Sequence, residues 1–246
     1  MSYYGSRYFG DIIYKDMGKN LFNYHGYVMM TMIGLLTFVV YMGCVVMMSR
    51  HSYRHFLNRQ RLEFWWTVVP MLILVGLWFP SMVNLYYMEE VKSARWNFKA
   101  IGKQWYWSYE FCRKDLNSVE SYHLGIAKYI TCVSIDSYME NPDETIAKHG
   151  YRLLDVDNRM VAPADVQMTV YVSSADVLHS FALPKLLLKV DAIPGRINRL
   201  PMRVSQCAIL YGQCSEICGV NHSFMPIVIE FVPTFHFLRW IHSVSK

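Results

Sequence analysis

GYVMMTMIGLLTFVVYMGCVVMM, residues 26–48, carries no charged side chain along its whole length. A second uncharged stretch, FWWTVVPMLILVGLWFPSMVNLYYM, follows at residues 64–88. Crossing a hydrocarbon core of ~30 Å takes ~20 helical residues, and both stretches are long enough. The sequence therefore predicts two transmembrane helices, at about 26–48 and about 64–88, within a hairpin that occupies residues 26–90.

The alternative is a pair of buried helices in a soluble protein, but such helices are usually shorter and interrupted by polar positions. Pro70 and Pro80 would be costly in a soluble helix, whereas neighbouring helices satisfy such breaks in a membrane. Aromatic residues at both ends of the second stretch are typical of the membrane interfaces. These are Trp65, Trp66, Tyr86 and Tyr87.

Arginines crowd the short connection between the two stretches, SRHSYRHFLNRQRLE at residues 49–63. The positive-inside rule places this loop on the side of the membrane where the chain is synthesised. The N-terminal segment, residues 1–25, and everything after residue 90 are then predicted on the opposite, outside face. Residues 1–20 are polar and rich in tyrosine, so no removable targeting peptide is predicted.

The net charge of +5 does not indicate a nucleic-acid partner. Basic residues alternate with acidic ones through the second half of the chain and form no long basic stripe.

From residue 96 onward the periodicity becomes that of β-strands. Trp105, Trp107, Tyr109 and Phe111 alternate with more polar residues. Glycine and proline punctuate this part of the chain, and no convincing amphipathic helix is visible, so an antiparallel sandwich or barrel is predicted. Residues 116–160 are interpreted mainly as a solvated acidic loop. Further strand candidates are residues 166–172, 177–183, 203–210 and 226–232.

Four of the six cysteines show no spacing that suggests partners, and they are predicted to be small core residues. They are Cys44, in the first membrane stretch, and Cys112, Cys132 and Cys207.

The other two cysteines lie in YGQCSEICGVNHSFMP, residues 211–226. A disulfide between Cys214 and Cys218 is the structural alternative, but it explains neither His222 nor Met225. Thiolate, imidazole and thioether ligands favour copper over harder cations. Zinc is the rival, since two cysteines, His222 and another histidine would complete a tetrahedral site.

The methionine favours copper, because zinc sites rarely use a thioether. Two sulfurs could bridge two copper ions, and that scheme requires a second histidine from elsewhere in the chain. His179, in SSADVLHSFALP, is the best candidate, although a lone histidine beside apolar residues is more often a core residue.

Several stretches together resemble subunit II of the haem–copper cytochrome c oxidases over nearly the whole chain. The resemblance implies a two-helix transmembrane hairpin followed by an all-β, cupredoxin-like Greek-key barrel over residues 91–246. The stretches are EFWWTVVP, GKQWYWSYEF, LLDVDNRMVAP, ADVLHSF, LLKVDAIPGR and YGQCSEICGVNHSFMP.

The same resemblance implies a dinuclear copper centre, CuA. Cys214 and Cys218 would bridge the two coppers, and His179 and His222 would each cap one. Met225 and the backbone carbonyl of Glu216 would be weak axial ligands. The side chain of Glu216 would bind Mg²⁺ shared with subunit I.

By resemblance, the chain accepts electrons from reduced cytochrome c at CuA and passes them to the haem of subunit I. Oxygen reduction and proton pumping would occur there, so the chain is part of a multisubunit cytochrome-c oxidase and is not catalytically complete alone. The expected location is the mitochondrial inner membrane, among its lipids, with the C-terminal domain in the intermembrane space. A periplasm-facing domain on a bacterial plasma membrane is the alternative.

Two further residues match positions of the family. Trp105 matches the residue where electrons enter from cytochrome c, the alternative being an ordinary aromatic of the barrel surface. Glu63 matches a carboxylate at the mouth of a proton pathway, the alternative being a solvated charge that favours the helix dipole. Glu110 and Asp176 are predicted to contribute to an acidic docking surface for the basic cytochrome c.

The chain departs from the family at Phe181, where many members have tryptophan, and in a longer segment over residues 116–150. Other candidate functions are a copper-free quinol oxidase subunit, which the intact Cys and His residues argue against, and a zinc-stapled membrane protein. Nitrous oxide reductase also carries CuA, but it is a soluble enzyme with a further large domain.

Overall fold

The structure is a computed structural model, and it describes residues 17–52, 59–89, 94, 96–114, 130–141, 143 and 150–244. The predictions for residues 1–16, for the middle of the arginine-rich loop at 53–58, and for 115–129 and 144–149 lie outside the described residues.

Two long helices open the described chain, α1 (Met17–Met48) and α2 (Gln60–Glu89). Helix α1 begins at Met17, ahead of the predicted start of the membrane stretch at residue 26, and the separate N-terminal segment of residues 1–25 stays a prediction. Apolar patterning locates the membrane-spanning part of a helix, whereas helical hydrogen bonding continues into the polar residues that precede it. Helix α2 contains both Pro70 and Pro80, as expected of a membrane helix.

The apolar side chains of these helices are not covered by the rest of the described chain. Only 0% and 6% of the most apolar windows of α1 and α2 are buried. A core helix of a soluble protein would be mostly buried, so this exposure favours a surrounding membrane.

The chain divides into two compact units, and residues 19–87 form one of them. The other contains a β-sandwich of ten strands among the described residues. They are β1 (Trp96–Lys103), β2 (Tyr106–Lys114), β3 (Ile130–Ser137), β4 (Met160–Pro163), β5 (Met168–Ser174), β6 (His179–Leu183), β7 (Leu188–Ala192), β8 (Asn198–Met202), β9 (Ala208–Cys214) and β10 (Pro226–Val232).

The ten strands form two five-stranded sheets, in the orders β3-β2-β1-β5-β8 and β4-β10-β9-β6-β7. Most neighbours are antiparallel, but β1 pairs with β5 and β4 pairs with β10 in parallel. The predicted antiparallel sandwich therefore also contains two parallel pairs of strands. Parallel neighbours require a connection that crosses over, and local periodicity does not reveal such a connection.

Large aromatic side chains fill the space between the two sheets. Trp107, Tyr109 and Phe111 alternate along the buried face of β2, while Phe181 and Phe231 come from the other sheet. The predicted alternation is therefore found along β2. Trp105 is an exception, because it lies in the two-residue turn between β1 and β2.

Three strands differ from the predictions. β3 lies in the segment that was interpreted as a loop. The strand expected at 203–210 begins only at Ala208, and β8 precedes it despite Pro201. β8 is an edge strand, where a proline that donates no hydrogen bond is tolerated.

Cys207, which was predicted to be a small core residue, is exposed.

The domain also contains an amphipathic helix that the sequence interpretation missed, α3 (Thr234–Val244). Phe237 and Ile241, one helical turn apart, are buried, whereas Phe235 is 71% exposed. The ring of Phe237 lies 5.1 Å from that of Trp96 and 6.1 Å from that of Phe111, centroid to centroid. Helix α3 therefore covers one end of the aromatic core.

Replacing Phe237 should destabilise the β-domain. We expect Phe237→Ala to lower its free energy of unfolding by about 3–5 kcal/mol, because the change leaves a cavity among aromatic rings. The matched control Phe235→Ala removes an exposed ring of the same helix and should change stability by about 0.5 kcal/mol or less. Chemical denaturation of both variants measures this, and equal losses would contradict the assigned packing of α3.

Candidate metal centre

Strand pairing brings together two distant parts of the sequence at one end of the sandwich. Cys214 is the last residue of β9, and it lies opposite Phe181 of β6. The backbone N–H of Ser215 donates to the carbonyl of Ser180 at 3.1 Å, which extends this contact. His179, the first residue of β6, is thereby placed beside the loop that follows β9.

That loop connects β9 to β10 and supplies the other predicted ligands. Cys218 lies in its middle, His222 begins a short 3₁₀-helix, and Met225 precedes the first residue of β10. Because β9 and β10 are antiparallel neighbours, the loop folds back over the ends of both strands.

The side chains form a compact group of sulfur and nitrogen atoms. The Sγ atoms of Cys214 and Cys218 lie 3.9 Å apart. Cys214 Sγ is 3.9 Å from His179 Nδ1 and 3.3 Å from the carbonyl oxygen of Glu216. Cys218 Sγ is 3.5 Å from both His222 Nδ1 and Met225 Sδ. Each sulfur thus has one imidazole and one weaker donor beside it.

Burial makes this group suitable for a metal ion. His179, Cys214 and Cys218 are all buried, and their donor atoms lie within 4.8 Å of one another. Both cysteines are free thiols, so the Cys214–Cys218 disulfide considered from the sequence is not formed.

The two thiols differ in acidity. Burial raises the pKa of Cys214, but hydrogen bonds with His179 and with the backbone at Glu216 and Ser180 outweigh it and lower this pKa. Burial raises the pKa of Cys218, and the neighbouring charge of Cys214 raises it further. The pKa values of the two neighbouring thiols are therefore shifted in opposite directions.

Asp176 holds the outer side of the His179 ring. Its Oδ1 lies 2.8 Å from His179 Nε2, so the ring presents Nδ1 to the sulfurs. The same carboxylate accepts 2.6 Å hydrogen bonds from the backbone N–H groups of Val177 and Gln104. Burial lowers the pKa of His179, but its hydrogen bonds with Cys214 and Asp176 reverse the direction and raise it.

Asp176 was predicted to contribute to an acidic docking surface for cytochrome c, and these contacts give it a further role at the candidate metal centre. Burial raises its pKa, but the hydrogen bonds from His179, Gln104 and Val177 outweigh burial and lower it. Its carboxylate also accepts a 3.4 Å hydrogen bond from the Ser174 hydroxyl, so four donors engage it and its main contribution is to fix a candidate ligand. The Asp-x-x-His spacing was the sequence signal that could have indicated this role.

The turn between β1 and β2 is fastened to the ligand loop by Gln104, which the sequence interpretation did not single out. Its side-chain amide donates to the carbonyl of Cys218 at 2.9 Å. The next residue, Trp105, packs over Gly219, where an added Cβ would lie 3.2 Å from the indole Cζ2. Gly219 also has φ +127°, a conformation open mainly to glycine. Trp105 is thereby placed beside the residue that follows Cys218.

A second glycine makes room for the histidine. A Cβ added at Gly102 would lie 2.8 Å from Cδ2 of His179, closer than real side-chain contacts. The absence of a side chain at Gly102 therefore allows strand β1 to pass directly beneath the imidazole.

Phe181, the departure noted in the sequence, is fully buried and packs edge-on against Trp107 at 5.4 Å between centroids. The indole N–H of Trp107 donates to the carbonyl of Met225 at 3.4 Å. The smaller ring therefore still fills the core beside the candidate ligands.

Two predicted site residues have roles beyond the sulfur and nitrogen ligands. Glu216 lines an open depression of about 770 Å³ together with Asp191, Arg196 and Arg199. Glu63 lies in the first turn of α2, in the other compact unit.

The fold and this cluster define a class of protein: two apolar helices that precede a β-sandwich with a buried His/Cys/Cys group that could hold a metal ion. Residues 96–232 match the family described as cytochrome c oxidase subunit II, periplasmic domain. Residues 15–83 match the transmembrane domain of the same subunit.

Known proteins of this kind align over most of the chain. The chain is 72% identical to cytochrome c oxidase subunit 2 of Mytilus edulis, over 100% of both chains. It is 42% identical to the Metridium senile subunit over 90% of this chain and 84% of that one. With the Drosophila simulans subunit it shares 39% identity, over 92% and 91%.

The β-domain also resembles a solved structure, the periplasmic domain of subunit II (CoxB) of Bradyrhizobium japonicum. The TM-score is 0.52 at 38% identity, and the match covers 64% of this chain and 98% of that one.

The chain belongs to the cytochrome c oxidase subunit II family. It is a subunit of cytochrome c oxidase, a haem–copper oxidase complex. The predicted family is confirmed, and so is the predicted fold class of two apolar helices followed by a β-sandwich domain.

Removing the charge of Asp176 should weaken metal binding. We expect Asp176→Asn to lower the copper affinity of the β-domain roughly 10–100-fold, because His179 loses the carboxylate that orients its ring. The control is Asp165→Asn, at a side chain that is 63% exposed and paired with Arg203. Copper competition titrations measure both, and equal affinities in the two variants would contradict the assigned role.

Proposed function

We propose that this chain is the subunit of the oxidase that receives electrons from cytochrome c, one at a time, at a dinuclear copper centre. The electrons then pass to the haem of subunit I, where oxygen is reduced to water and protons are pumped. The observation that supports this most directly is the pair of buried thiols, each with its own imidazole within 3.9 Å.

The donor set fits two coppers better than one zinc. Cys214, Cys218, His179 and His222 would hold the two coppers, and Met225 and the Glu216 carbonyl would be weaker ligands. Soft sulfur donors beside imidazole suit copper. When bound, the copper pair supplies reversible one-electron transfer.

The chain's own residues hold the proposed ligands in position. Asp176 fixes the ring of His179, while the amide of Gln104 fixes the backbone at Cys218. Trp107 holds the backbone at Met225. Because these contacts hold the donors in place, little structural change should accompany a change of charge at the site.

Trp105 is proposed as the residue through which electrons enter. Its indole lies against Gly219, directly after Cys218, and is partly buried at the turn between β1 and β2. This gives a short path from the surface of the domain to a proposed copper ligand.

We further propose that Glu216 contributes to a Mg²⁺ site at the contact with subunit I. Mg²⁺ is usually held by one or two carboxylates together with other oxygens. Glu216 and Asp191 line one depression, but Arg196 and Arg199 line it too, so most of the ligands would come from the partner subunit.

Glu63, in the first turn of α2, is proposed at the mouth of a proton pathway.

The proposed location is the mitochondrial inner membrane. The arginine-rich loop would face the matrix, and the β-domain would lie in the intermembrane space.

The copper stoichiometry tests the central proposal. We expect the folded chain to bind two coppers that share one unpaired electron, because two bridging thiolates couple the ions. Elemental analysis gives the ratio, and paramagnetic resonance should show hyperfine splitting from two equivalent copper nuclei. A single zinc per chain, or copper with splitting from one nucleus only, would refute the dinuclear assignment.

Docking and electron transfer should respond to different substitutions. Glu110→Gln should slow the association of cytochrome c and flatten its salt dependence, because an acidic surface steers a basic partner. Glu110 is paired with Lys99 at 3.3 Å, so the effect should be modest.

Trp105→Phe should slow electron transfer while it leaves association and the copper spectrum nearly unchanged.

Stopped-flow oxidation of cytochrome c at several salt concentrations separates these effects. Glu230→Gln is the matched control. Glu230 lies on β10, in the other sheet, is about as exposed as Glu110, and is likewise paired with a basic residue, Arg159, at 3.9 Å. The proposed route is wrong if Trp105→Phe transfers electrons at the parent rate.

A further inference from the structure

Two cysteines that the sequence gives no reason to pair lie directly opposite each other in the β-sandwich. Strands β2 and β3 are antiparallel, and their register places Cys112 across from Cys132. The rungs on either side, Phe111 with Val133 and Arg113 with Thr131, follow the same register.

This placement suits a disulfide. Residues directly opposite in an antiparallel pair have Cα atoms about 4.5–5.5 Å apart. Disulfide-bonded cysteines have Cα separations of about 4.4–6.8 Å. The backbone register therefore meets the distance requirement without any movement of the strands.

The rung also belongs to the outer face of the sheet. Trp107, Tyr109 and Phe111 mark the buried face of β2, and Cys112 occupies the alternate register. On β3 the alternate position is represented by Ser134, which is exposed. The hydroxyls of Ser108 and Ser134 approach within 3.2 Å, which shows how close neighbours on this face lie. Ser108 is buried on this face, whereas Glu110, nearer the two cysteines along β2, is 35% exposed.

We propose that Cys112 and Cys132 form a structural disulfide across β2 and β3. In the reaction the two thiols lose two protons and two electrons, and one S–S bond forms. The electrons reduce the disulfide of a thiol–disulfide oxidoreductase to its dithiol, through a mixed disulfide. The proposal depends on the proposed topology, since disulfides persist in compartments more oxidising than the matrix or cytosol.

The bond would join the two strands that flank residues 115–129, the first part of the segment over residues 116–150 that is longer than in the family. Residues 115–129 lie between β2 and β3, beyond the last rungs of their pairing. A covalent link at Cys112 and Cys132 limits the conformations that the residues between them can adopt in the unfolded chain. The bond thereby keeps the edge strand β3 in register with the strand that follows Trp105.

The experiment is disulfide mapping on the oxidase complex isolated with the full chain. The sample is denatured in N-ethylmaleimide to trap free thiols and is then digested with trypsin. Cleavage after Lys103, Arg113, Lys128 and Lys148 separates Cys112 from Cys132. The two cysteines then share a peptide species only if a disulfide joins them.

We expect one linked species that contains residues 104–113 and 129–148, two hydrogens lighter than the sum of the two peptides. Reduction should abolish it and release both peptides. Cys207, which is exposed and free, is the internal control and should carry maleimide before reduction.

Recovery of both peptides with maleimide on Cys112 and Cys132, without reduction, would overturn the inference. So would a linkage of either residue to Cys207 or to another chain. Copper content measured on the same complex tests the proposed function separately, so the two failures can be distinguished.

Discussion

The short pairing of β6 with β9 is the contact on which the site depends. Only two rungs join these strands, Phe181 with Cys214 and Ala182 with Gln213. They set His179, the first residue of β6, against the loop that begins at Cys214. Gly212 makes the approach possible, because a Cβ there would lie 2.0 Å from the carbonyl oxygen of Ala182. Any larger residue at 212 would separate the histidine from the sulfurs.

The opposite sheet completes the site from the other side. The β1–β2 turn reaches across the sandwich, and its residue Gln104 makes two hydrogen bonds there. Its backbone N–H donates to the carboxylate of Asp176, and its side-chain amide donates to the carbonyl of Cys218. Gln104 therefore links Asp176, which orients the proposed ligand His179, to the backbone of the proposed ligand Cys218. Because Trp105 follows directly, the proposed point where electrons enter is held in register with the metal centre by the same contacts.

Much of this could be predicted from the sequence, where the signal is local. The apolar stretches indicated both helices, and the loop from Cys214 to Met225 carried four candidate ligands within a few turns of chain. His179 was found by its surroundings and by family resemblance. What the sequence did not show depends on long-range pairing. The role of Asp176 becomes visible only once β6 and the β1–β2 turn meet, and the Cys112–Cys132 rung requires the register of β2 with β3.

The opposite pKa shifts of the two thiols follow from their closeness and indicate how the pocket receives a cation. Two thiolates within 3.9 Å in a buried site repel each other, so ionisation of Cys214 holds the proton on Cys218. A bound cation offsets that repulsion, and the second proton must then leave. Ligand deprotonation is therefore part of metal binding here, and the contacts of Cys214 with His179 and the backbone lower the pKa of only one of the two thiols.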